Sequence, residues 1–69
     1  MALTIPMPHG LSGDVHWDQQ QLKWFVTVWN PKTAADIYTS DGYHDRPDAE
    51  VDAWRWCMDE DNFDAWFTR

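Results

Sequence analysis

Three histidines, one cysteine and twelve acids are the residues of this 69-residue chain with the most chemistry to offer. His16-x-Asp18 lies on an alternating stretch, Val15 to Asp18, that reads as a strand and puts both side chains on one face. His44-Asp45 falls in a loop and His9 in a Pro- and Gly-containing arm. Zinc needs several His or Cys ligands at fixed spacing. The chain has no Cys-x-x-Cys, no His-x-x-x-His and no Glu-x-x-His. A lone His/Asp pair is an ordinary pair of surface side chains, so no metal is expected.

Nucleophilic chemistry has as little support. Cys57 sits beside Trp54 and Met58, where it reads as a small buried hydrophobe and not as an activated thiolate. Ser12 and Ser40 lack a Gly-x-Ser-x-Gly frame. Asp59, Glu60 and Asp61 are consecutive, but paired-carboxylate catalysis needs two acids facing across a cleft. A chain this short is expected to lack a cleft of about 300 Å³. The acidic run also lacks the glycine of an EF-hand loop. Gly10, Gly13 and Gly42 match no phosphate-binding fingerprint. No enzyme activity and no cofactor are expected.

What remains is a set of aromatic residues among acids. On a helical wheel Trp56 falls between Asp52, Asp59 and Glu60, with Asp61 next along the chain. Phe25 and Trp29 alternate onto the strand face opposite Trp24, Val26 and Val28. Trp is a favoured interface anchor, and an acidic rim steers encounter with a basic partner. The expected partner-binding residues are therefore Asp52, Trp56, Asp59, Glu60, Asp61, Phe25 and Trp29.

The elements that must position them follow from the pattern. Residues 1–13 form an extended arm carrying Pro6, Pro8, Gly10 and Gly13. Leu3, Ile5 and Met7 alternate within it, which would suit a sheet edge as well as a mobile terminus. Val15–Asp18, Leu22–Trp29 and Ile37–Ser40 read as strands, with turns at Asp18–Gln21, Asn30-Pro31-Lys32 and Asp41-Gly42. Leu22–Trp29 is apolar on both faces and is the expected central strand. Arg46-Pro47-Asp48 starts a helix with an acid in its first turn. Val51, Trp54 and Met58 form its apolar stripe, with Ala53 and Cys57 at the edge. The helix should end near residues 60–62, where Asn62 caps a last turn carrying Phe63, Trp66 and Phe67. The expected architecture is α+β: a small three-stranded antiparallel sheet with one C-terminal helix on one face (β-β-β-α), in a single domain.

Charge narrows the function. The chain carries twelve acids and five bases, net −7. Residues 1–47 hold five acids and three bases (net −2), and residues 48–69 hold seven acids and two bases (net −5). This argues against direct binding to nucleic acid or to anionic membrane. No stretch has the roughly 20 apolar residues of a membrane span. The start MALTIPMPHG lacks a basic and apolar export signal, and the single cysteine cannot form an internal disulfide, so a cytoplasmic setting is expected. Eleven aromatics supply the core that disordered acidic segments lack.

The expected function is a small acidic protein-binding module. In type it is a phage or mobile-element inhibitor that occupies the basic, nucleic-acid-binding surface of a host defence or transcription protein, as anti-CRISPR proteins do; the likeness is one of type and not of sequence. If phage-encoded, it would act in the host cytoplasm. The alternative is an adaptor or homodimeric assembly protein using the exposed aromatic sheet face. A small metal-binding protein or enzyme ranks last.

Overall fold

The computed structural model describes residues 2–62. Strands β1 (Ala2–Pro6), β2 (Ser12–Asp18), β3 (Lys23–Asn30) and β4 (Ala35–Thr39) form one antiparallel sheet in chain order. Helix α1 (Arg46–Met58) packs chiefly on β3, and a 3-10 turn, Glu60–Asn62, follows it. The class is α+β with a C-terminal helix, as expected, but the sheet has four strands and not three. The added strand comes from the N-terminal arm. Leu3 pairs with Val15 and Ile5 with Gly13, and Ile5 packs against the core. Pro6 closes this edge strand, where a missing N–H is tolerated.

The chain then turns inward. Met7 N–H donates to the Leu11 carbonyl at 2.9 Å, and both side chains enter the core. Gly13 makes this packing feasible. A Cβ there would lie 3.1 Å from Met7 Sδ and 3.2 Å from Val26 Cγ1. Asp18 holds the β2–β3 turn, its Oδ1 accepting the Gln20 and Gln21 amides. Leu22 sits in that turn at φ 56° and is exposed, so it leaves the strand face it was expected to join. Trp24, Val26 and Val28 do share the helix-facing side, and both valines are fully buried.

Two irregularities shape β4. Thr39 pairs with Thr27 and Tyr38 with Val28, but Trp29 pairs with Asp36. Ile37 is therefore the extra residue of a bulge. As a result Ile37 and Tyr38, neighbours in the chain, both serve the helix side of the sheet. Beyond Thr39 the hydroxyl of buried Ser40 continues the pairing. Ser40 N–H donates to the Val26 carbonyl at 2.8 Å, and Val26 N–H donates to Ser40 Oγ at 2.9 Å. A bridge between Trp24 and Tyr43 then ties the next loop to β3.

The helix starts where its signal lies, with Pro47 in the first turn and Asp48 beside it. Its buried face is not the expected one. Ala49, Ala53 and Cys57 are fully buried, whereas Val51, Trp54 and Met58 are 47%, 49% and 54% exposed. Three small side chains at i, i+4 and i+8 let the helix approach the sheet closely. Trp24, Tyr38, Tyr43 and Trp56 pack around that contact. A ridge of Val, Trp and Met in the same place would hold the helix away from Val26 and Val28. The expected last turn with Phe63, Trp66 and Phe67 lies outside the described residues. Asn62 Nδ2 donates to the Trp56 carbonyl at 3.0 Å. Among the described residues no helix is long and apolar enough to cross a membrane.

Candidate docking groove

The bulge in β4 and the inward turn of Ala49, Ala53 and Cys57 open a groove between the sheet edge and α1. Its volume is about 640 Å³, larger than the sequence led us to expect, and it is a broad open trough. Tyr38, Asp41 and Tyr43 line the sheet side, and Asp48, Val51, Asp52, Arg55, Trp56 and Asp59 line the helix side.

Asp52 clasps the two sides. Its Oδ1 accepts the Tyr38 hydroxyl at 2.7 Å, and its Oδ2 accepts the Tyr43 hydroxyl at 2.6 Å and the Asp41 amide at 3.3 Å. Both phenols hold their protons more tightly as a result. Tyr38 is pushed well above the ordinary phenol range by burial first and by its bond to Asp52 second. Tyr43 is pushed up to about 12, mainly by its hydrogen bond to Asp52. Trp56 stacks on Tyr38, with ring centroids 4.6 Å apart and planes 9° from parallel.

The seven residues singled out from sequence divide among three places. Asp52, Trp56 and Asp59 meet in the groove. Asp52 and Trp56 have internal partners there, the two tyrosines. Asp59 follows the helix and opens the 3-10 turn, its Oδ1 accepting the Asp61 amide at 3.0 Å. Glu60 and Asp61 are exposed in the following 3-10 turn, at the end of α1. Phe25 and Trp29 lie on the opposite face of the sheet. Phe25 stacks on His16, with centroids 5.8 Å apart, and Trp29 Nε1 donates to Asp14 Oδ1 at 3.2 Å. His16 and Asp18 do share a strand face, but His16 serves this stack and Asp18 serves its turn. Among the described residues no group of three or more His, Cys, Asp or Glu could hold a metal ion.

Sequence reasoning missed Tyr38, Tyr43, Asp41 and Asp48 as groove residues. The bulge that brings Tyr38 to the helix side leaves no mark in the alternation of β4. The turn expected at Asp41-Gly42 does not form: the chain runs on beside β3, from the Ser40–Val26 pair to the Trp24–Tyr43 bridge, and Gly42 lies close against that strand. A Cβ there would come within 2.8 Å of Phe25 Cζ and 2.7 Å of Lys23 Cδ. Comparison of the chain with protein-family models, with curated proteins and with solved structures gives no match.

Proposed function

We propose that this protein is an acidic docking module that receives a basic protein surface, such as that of a nucleic-acid-handling protein, and blocks it. The observation that carries this reading is the lining of the groove. Asp41, Asp48 and Asp59 line it, none of them in an ion pair among the described residues, beside the Tyr38–Trp56 stack. Carboxylates over an aromatic wall suit arginine, whose flat cation pairs with both.

The helix end supports the reading energetically. Asp59, Glu60 and Asp61 cluster at the C-terminal end of α1. Negative charge there opposes the helix dipole, at a cost of about 0.3–1 kcal/mol for each group near the last turn. A basic partner that neutralises these groups would relieve that cost.

Assembly through the Phe25/Trp29 face is the second reading, since α1 packs on the other side of the sheet. The polar partners of those rings lie within the sheet itself, which favours the groove. Capture from lysate at low and high salt tests the proposal. Wild-type protein should retain a basic partner at low salt and lose it at high salt, and Asp48→Lys/Asp59→Lys should retain none. Equal capture by both proteins would overturn it.

A further inference from the structure

We infer that the outward ridge of α1, formed by Val51, Trp54 and Met58, seats a cationic amphipathic helix of the partner protein; this rests on the acidic docking reading and extends it beyond the groove. The three residues lie at i, i+3 and i+7, on one face of the helix and about 10 Å from end to end. They are 47%, 49% and 54% exposed, in a helix whose small residues face the core. Trp54 makes no hydrogen bond or ring contact among the described residues. A monomeric helix buries its largest apolar side chains by default. Here the order is reversed, and a continuous apolar ridge rimmed by charge marks a docking surface.

The shape and charge of the ridge select its occupant. A row at helical spacing fits the side-chain ridges of another helix. Val51 belongs to both the ridge and the groove, so one partner can cover both. Residues 46–62 hold six acids and two bases, net −4, and one of those bases, Arg46, is already paired with Glu50 at 3.0 Å. The covering helix must therefore be apolar on one stripe and Lys- or Arg-rich beside it. A second copy of this chain would set −7 against −7.

The full-length protein, labelled with nitrogen-15, is titrated with a synthetic Leu/Lys peptide patterned as an amphipathic helix. A scrambled peptide of the same composition and a Leu/Glu peptide of the same pattern are the controls. The patterned cationic peptide should shift the amides of residues 51–58 and the Trp54 indole saturably, and both controls should bind at least about tenfold more weakly. Trp54→Ala and Met58→Ala, both at exposed positions, should each weaken binding severalfold while the remaining spectrum stays native. If these variants bind as wild type and Asp48→Lys/Asp59→Lys does not, the ridge inference fails and the acidic groove stands. If neither change matters, both fail. Shifts confined to the Phe25/Trp29 face, or a dimer in light scattering that Trp54→Ala dissolves, would also overturn the inference.

Discussion

The Tyr43 hydroxyl donates to Asp52 Oδ2 at 2.6 Å, and through that contact the loop after β4 is fastened to the helix. Because the bond holds the phenol in its protonated form, it couples folding to alkaline pH. An unfolded tyrosine ionises near pH 10, about two units before folded Tyr43. The stabilisation is complete below pH ~10 and is lost as pH rises towards about 12. Asp52→Ala should bring Tyr43 ionisation back towards the ordinary range and flatten that loss, while Tyr38, raised by burial first, should return only in part. Absorbance titration alongside denaturant midpoints measures both. A wild-type protein in which both tyrosines titrate near pH 10 would show that the clasp does not form in solution.

The inverted helix makes an unusual contrast between mutants. Ala53 is fully buried, so Ala53→Leu should overpack the contact with β3 and cost roughly 1–3 kcal/mol. Trp54→Ala removes a far larger side chain, yet from a half-exposed position, and should change stability by only about 0.5 kcal/mol. Urea melts of the two variants decide the matter. The opposite order would restore the Val51/Trp54/Met58 stripe to the core.

Ser40 acts as backbone. It is buried at 3% exposure, and its hydroxyl takes the Val26 N–H. Ser40→Ala leaves that donor without a partner at a cost of about 1–3 kcal/mol. The Val26 amide should lose protection in hydrogen exchange ahead of its neighbours on β3. Unchanged exchange at Val26 would contradict the bond.

Cys57 is closed off by the helix–sheet contact. Burial pushes its thiol up to about 11, so a thiolate is scarce at neutral pH. The stability linked to this shift is complete below the ordinary thiol range and declines as pH rises towards about 11. Alkylation of the folded protein should be far slower than that of the urea-unfolded chain and should accelerate with added urea. Equal rates in the two states would place Cys57 at the surface.

Much of the fold was legible because it rests on strong local signals. The alternation of Trp24, Val26 and Val28 identifies β3 and its covered face. The turn at Asn30-Pro31 and the start of α1 at Arg46-Pro47 are equally plain, whereas Asp41-Gly42, a turn dipeptide by type, does not turn the chain because pairing with β3 runs on to Tyr43. The fourth strand was half legible, since Leu3 and Ile5 alternate but the prolines and glycines around them point towards irregular chain. The phase of α1 was not legible. Hydropathy favours Val51, Trp54 and Met58 over alanines, yet close approach to a sheet favours small residues. Nor was the groove, because it depends on the bulge at Ile37, whose only signature is a change of register with Trp29. Asp52 and Trp56 were picked out for lying among acids, and the structure gives each a tyrosine partner besides.

The central claim is that the groove, and not net charge at large, receives a basic partner. Two variants with the same charge change separate these. Asp48→Lys/Asp59→Lys takes the net charge of the chain from −7 to −3, adding +4 within the groove. Asp36→Lys/Gln19→Lys/Gln20→Lys also adds +2, +1 and +1, at exposed sites outside it. Equilibrium binding of an arginine-rich peptide, followed by tryptophan fluorescence at low and moderate salt, is the measurement. The account predicts that the groove variant binds at least about fivefold more weakly than the control variant, with a shallower salt dependence. Equal weakening in the two variants would contradict it and leave the acids as a diffuse solubilising charge.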